Sequence, residues 1–369
     1  MKRRSLALLA ALGGLLATAS ALGQIPANTP TFPPAPALTP HGVGGREQPA
    51  GSGVQAPSDA REALVRAECK QPPAPARRLN FPARPVGPFP YSITAIPGVV
   101  DAGVEWKLVW VTTGNNADGM VGLSDGSVLA AQNDNSSVVR ITPDGHSAVV
   151  YRDTDTGGSL AINKMGQLFI LERSLIPSVW ELAPERKLIA DSYHGEPLEC
   201  QGAGVMDSAL ALHNGGVYFG FAGLYYVSPD GQVTKVFDKP VNDAVLSPDE
   251  TRVYLPSGGD LYVADVGADG LLSNAHLLAS IPGGGNDGAA VDAQGRIYVA
   301  GIAGVRVFEP DGRYLGTIPA PRRLIDIAFS GPDKKTLFAI AEVAAPGMVE
   351  HDEVFTLQMV AQGYLGRGK

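Results

Sequence analysis

Asp118, Asp207, Asn242 and Asp287 each stand eight residues ahead of a turn marker in a phrase that recurs along the chain. The phrases are "DGMVGLSDGSVLAA", "GSLAINKMGQLFIL", "DSALALHNGGVYFG", "NDAVLSPDETRVYL", "DGAAVDAQGRIYVA" and "DIAFSGPDKKTLFAI", and their markers are Gly126, Gly166, Gly215, Glu250, Gly295 and Lys334. In the two remaining phrases the same position holds Gly158 and Asp326. Four carboxylates and one amide converging on a common point would repel one another if all were ionised and unpaired. Either some are protonated or a cation sits among them. An all-oxygen set points to a hard ion, Ca²⁺ first and Mg²⁺ or Mn²⁺ after it, because Ca²⁺ accepts about 6 to 8 oxygens in loose geometry; Zn²⁺, a softer ion, is a further candidate. The competing reading is local: Asp and Asn before Gly are common turn residues, and their recurrence can follow from turn chemistry alone.

The elements that would bring these residues together are strands. From about Val104 onward, short segments of period-2 alternation are punctuated by turn signals, with no long helical periodicity. The markers are spaced by 40, 49, 35, 45 and 39 residues. A unit of that length holding four short strands is a β-propeller blade, so six copies predict an all-β, six-bladed propeller. Within the repeats a second strand pair turns at tips such as Pro-Asp-Gly, where Pro presets φ and Gly takes positive φ. Asp144, Asp230 and Asp311 are therefore read as structural. The sixth repeat supplies three strands ending in "EVFTLQMVA"; its missing fourth is "VEWKLVWVT", residues 104–112, which would close the ring and remove its exposed edges. The innermost strand of each blade lines the central channel. The residue that opens it projects at the channel mouth.

Other chemistry is thinly represented. No G-x-S-x-G motif is present, which disfavours a covalent serine mechanism. None of the six histidines pairs at metal-ligand spacing. His194, in "DSYHGEPLECQG" between the second and third repeats, lies on a connection long enough to fold over the channel, with solvation as its ordinary role. Tyr218, Phe219, Phe221, Tyr225 and Tyr226 alternate as strand cores do, and are assigned to packing.

The N-terminal region has a different character. "MKRRSLALLAALGGLLATASALGQ" joins a basic start to a short apolar run and small residues, the pattern of a signal peptide over residues 1–23 and of a secreted or periplasmic destination. The apolar run falls short of the roughly 20 residues of a spanning helix. Between Gln24 and Pro90 lie 15 of the 30 prolines, so residues 24–94 read as an extended arm able to contact a protein partner. Its exception is a short helix at 59–69, where Asp59 and Glu62 have capping-box spacing. The propeller is expected over 95–369. A net charge of −8 without a basic patch argues against nucleic acid. Cys69 and Cys200 could form one disulfide or remain two separate thiols.

The phrases "VNDAVLSPDETRVYL", "NDGAAVDAQGRIYVA" and "SGPDKKTLFAIA" resemble the gluconolactonase/regucalcin family of six-bladed propellers over about residues 95–345. The resemblance implies one divalent metal at the channel mouth, held by Asp118, Asp207, Asn242 and Asp287, with Asp287 also the candidate general base and Asp326 a weaker candidate. It implies a small-molecule substrate, a lactone or related ester, opened by a polarised carbonyl and an activated water. The chain departs from the family in four places: Asp118 stands where the family usually has Glu, Asp207 replaces an Asn, Ser208 replaces the Asp that follows it, and Val205 stands where some members carry a substrate-gripping Arg. The alternative from another class is a non-catalytic binding or scaffold propeller of the cell envelope, since this fold hosts many functions.

Overall fold

The computed structural model describes residues 67, 69–70, 87–173, 177–201, 206–220, 222–285, 287–345 and 348–369. The signal peptide, almost all of the arm and its short helix, Val205, Phe221 and Asn286 lie outside the described residues. Six four-stranded antiparallel sheets follow one another along the chain. Blade 1 runs from Met120 to Arg152, blade 2 from Ser159 to Ala190, blade 3 from Asp207 to Phe237, blade 4 from Val245 to Ser280 and blade 5 from Ala289 to Ile318. Blade 6 combines Leu324–Ser330, Thr336–Ala345 and Met348–Gln358 with Lys107–Thr113, which pairs with Met348–Gln358 as the outermost strand. The ring closes as the missing-strand argument predicts.

Inner strands are buried on both faces and outer strands on one at most, and the sequence pattern follows. Met120–Gly122 is wholly buried, whereas Leu272–Ser280 is mostly exposed. Burial on both faces arises because each blade packs flat against two neighbours. The apolar residues accordingly divide into six clusters, each lying between two successive blades. The aromatics of blade 3 split by alternation: Phe219 and Tyr225 face blade 2, while Tyr218 and Tyr226 face blade 4.

All six turn markers adopt positive φ, from 50° at Lys334 to 95° at Gly126. Glycine meets this at four of them without steric cost. Glu250 and Lys334 take the same conformation with side chains, and both are buried and paired: Glu250 with Arg367 and His213, Lys334 with the carbonyls of Gly122 and Phe329. The hairpin aspartates do turn work: Asp144 accepts from Thr142, Asp230 from Ser228, and Asp311 from the Arg313 amide at 2.9 Å.

Two features flank the ring. Cys69 and Cys200 are joined by a disulfide with Cα atoms 5.4 Å apart, tying the N-terminal arm to the connection between blades 2 and 3. At the end of the channel opposite the mouth, the segment Met359–Lys369 crosses the floor. The Gly363 amide donates to the Lys334 carbonyl, Arg367 reaches the carbonyls of Leu246 and Ser247, and the Gly122 amide donates to the Gly368 carbonyl. Beyond that point Lys369 enters the channel.

Candidate active site

Antiparallel order within each blade places the start of its inner strand and the end of its second strand at the same end of the channel. Mouth residues therefore come in pairs from each blade. In blade 1 these are Asp118 and Asn133, whose Nδ2 donates to Asp118 Oδ2 at 2.7 Å. In blade 2 they are Gly158 and Arg173, and here the ring departs from a cluster of acids. The Arg173 guanidinium lies across the gap between blades: Nη1 donates to Asp118, Nη2 contacts Asp207 Oδ1 at 3.0 Å, and Nε donates to the Met206 carbonyl at 3.1 Å. A Cβ at Gly158 would fall 2.0 Å from Nε and 2.1 Å from Cζ of Arg173. The ring position without a side chain is thus the space through which the guanidinium passes. Burial alone would weaken the protonation of Arg173, but the Asp118 and Asp207 carboxylates outweigh it and hold the group cationic.

Asp287 has its own cation. Arg323, just ahead of the inner strand of blade 6, donates through Nη2 to Asp287 Oδ2, and its Nη1 lies 3.5 Å from Glu342. Burial pushes the Asp287 carboxyl well above the usual range; Arg323 opposes the shift, while Asp207, Asp118 and Glu342 add to it. Burial likewise raises Asp207, against the pull of Arg173. Asn242 opens blade 4, its amide donating to the Pro256 carbonyl at 3.3 Å.

Asp326 sits in a second tier. In four blades a side chain at the start of the inner strand accepts the amide of the next blade six residues before its marker. Ser159 accepts from Ala209, Ser208 from Ala244, Asp243 from Ala289 and Asp326 from Met120, at 3.3, 2.7, 2.8 and 2.6 Å. In the first three the acceptor stands seven residues before its marker; in blade 6 it stands eight before. Asp326 therefore clasps blade to blade. Asp243 and Asp326 share Lys369, whose Nζ lies 2.8 Å from each. Burial raises both carboxyls against the pull of Lys369, Asp326 to about 7, while the two carboxylates hold Lys369 above its ordinary value.

The mouth therefore pairs its acids with the protein's own cations. As placed, the oxygen set does not fit a divalent ion: Asp118 and Asp207 are spanned by one guanidinium and Asp287 is bound to another. Among the described residues no group of three or more His, Cys, Asp or Glu is arranged to hold a metal. His194 lies at the exposed tip of a small hairpin, its ring 4.0 Å from that of Tyr193.

Reading inner-strand positions alone finds Asp118, Asp207, Asn242 and Asp287 but not Arg173, Arg323, Asp243 or Lys369. The available signal was Gly158, a ring position without a side chain, followed by the arginine that ends the second strand of the same blade. Lys369 carried no local signal, since it reaches the channel from far away in sequence.

Comparison with known proteins bears on the same region. Residues 201–341 match the model of the SMP-30/gluconolactonase/LRE-like region, so the resemblance read from the sequence is shown. A gluconolactonase from Zymomonas mobilis is 23% identical over 288 residues, covering 66% of this chain and 78% of the relative. Among solved structures, a gluconolactonase from Xanthomonas campestris superposes with a TM-score of 0.55 at 19% identity, over 75% of this chain and 99% of that one. Regucalcin from Agrobacterium tumefaciens, a calcium-binding protein, gives 0.53 at 21% identity, over 68% and 92%. At these identities the solved structures share the fold.

Proposed function

We propose that this chain, a six-bladed propeller carrying an SMP-30/gluconolactonase/LRE-like region, is a hydrolase that opens a lactone or related ester at the channel mouth. The observation that carries the reading is the Asp287–Arg323 pair. It is a carboxyl with a raised pKa, still a quarter exposed, held against a guanidinium that is a fifth exposed. Arg173, at 5% exposure, is out of a ligand's reach.

Lactone opening needs a base for water and positive charge for the oxygen that becomes an oxyanion. Ionised Asp287 takes a proton from water, and the resulting hydroxide attacks the carbonyl carbon. The C=O electron pair moves to oxygen, where the Arg323 guanidinium offsets its charge. Collapse re-forms the carbonyl and breaks the ring C–O bond, and the leaving alkoxide recovers the proton from Asp287. Raised above the ordinary carboxylate range, Asp287 is a stronger base toward water than a solvated carboxylate. Acids otherwise outnumber cations at the mouth, which suits a neutral lactone and helps expel the carboxylate product. No step is assigned to a divalent ion, because the three carboxylates that would hold it are engaged by arginines.

We further propose export to a secreted or periplasmic location, on the strength of the N-terminal pattern; N-terminal sequencing of the mature protein, expected to begin near residue 22 or 24, tests this. The catalytic reading is tested by hydrolysis of aldonolactones, homoserine lactones and aryl esters by wild type and Asp287→Asn. Turnover of a lactone, reduced 100-fold or more in the variant on the scale of a lost general base, is the expected result. Absence of turnover across the whole panel would favour the scaffold alternative.

A further inference from the structure

We propose that Arg173 is a built-in replacement for a divalent cation: the mouth of this propeller carries its counter-charge in a side chain, and neither needs nor binds a metal ion. Three observations carry this. The guanidinium spans Asp118 and Asp207, from blades 1 and 3, and so ties together two of the oxygen donors that an ion would otherwise gather. The blade between them contributes Gly158 at the ring position, where any Cβ would collide with Arg173, so backbone and side chain are matched to admit the guanidinium. Arg173 also donates to the Met206 carbonyl, which fixes the plane of the group and buries it to 5% exposure.

The chemistry of the replacement follows from shape. A guanidinium is a planar fork of N–H donors that is not deprotonated in proteins, and it can bind two carboxylates in fixed directions. A Ca²⁺ ion takes its oxygens from all round and exchanges with solution. Placing the charge on Arg173 makes the site independent of chelators and of the calcium level, and it leaves Arg323 as the cation exposed to ligand. The family departures gain a reason here: Asp207 offers a carboxylate to the arginine where an amide would offer a metal only a neutral oxygen.

The test is metal content and thermal stability of the purified full chain, with hydrolysis left out of the readout so that failure of the lactonase reading is separate. Wild type should retain well under one divalent ion per chain by elemental analysis and should melt at the same temperature in excess calcium and in excess EDTA. Arg173→Ala exposes the carboxylates and should acquire a calcium-dependent rise in melting temperature and terbium luminescence that calcium competes away. Should Arg173→Ala not fold, Arg173→Gln, which keeps a hydrogen-bonding stem, takes its place in the same assays. A wild-type protein that holds one divalent ion per chain, or that calcium stabilises against EDTA, overturns the proposal. So does a folded Arg173 variant that remains indifferent to calcium.

Discussion

Replacing Lys369 with Met should destabilise the propeller strongly at pH 8 and only weakly at pH 5. Met keeps the length of the apolar stem and removes the charge that lies 2.8 Å from both Asp243 and Asp326. Both carboxylates are almost fully buried, at 6% and 4% side-chain exposure, so neither recovers hydration when the ammonium is lost. Removing one partner from a buried ion pair costs about 3–5 kcal/mol. For a domain of this size that corresponds to a fall in melting temperature on the order of 10 °C. The pH dependence follows from the protons. Asp326 is raised to about 7, above its unfolded value, so the folded state holds its proton more tightly and loses stability as pH rises toward 7. Lys369 is raised as well, so its contribution is fully present below its unfolded pKa and is lost only at higher pH. At pH 8 the variant leaves two buried anions. At pH 5 protons replace the ammonium, and each pH unit between is worth up to about 1.4 kcal/mol per proton bound. Thermal unfolding followed by circular dichroism at the two pH values measures the difference. Equal losses at both, or a variant within about 2 °C of wild type at pH 8, would refute the pairing argument.

Hydrolysis should rise with pH through the Asp287 pKa, above the ordinary carboxylate range, because only the ionised form accepts a proton from water. Arg323→Met removes the group that opposes this shift and should move the rising limb to higher pH, a change visible in a kcat/KM profile. Gly158→Ala should cost roughly 1–3 kcal/mol, the usual range for overpacking, read from denaturant unfolding; a neutral effect would mean that Arg173 does not fill that space.

Much of the fold was legible because a propeller repeats its chemistry. The turn markers were identified by spacing, and all six adopt positive φ, including the two that are not glycine. Closure by Lys107–Thr113 followed from counting strands. The disulfide, left open by spacing, needed the Cα positions to decide it. The site was legible only in its acids. A repeat-based register counts residues along one strand and does not say which group a side chain meets: Asp326 stands eight residues before its marker like the mouth acids, yet it accepts the Met120 amide and acts as an inter-blade clasp. Nor can such a register find cations that arrive from other strands. Arg173 comes from the second strand of its blade, Arg323 from ahead of the next blade's inner strand, and Lys369 from the floor segment. Repulsion among the acids demands protons or a cation, and an ion and a guanidinium meet that demand equally well.

The fit between Gly158 and Arg173 has an evolutionary consequence. Neither residue can change alone without cost: a side chain at 158 evicts the guanidinium, and loss of the guanidinium leaves two facing acids with an empty slot between them. Descendants of this sequence should therefore keep both residues or exchange both, and a lineage that places Ala or Ser at 158 should have surrendered the arginine. The pair would act as a latch on ancestry, dividing propellers that carry their own charge from those that borrow it from solution.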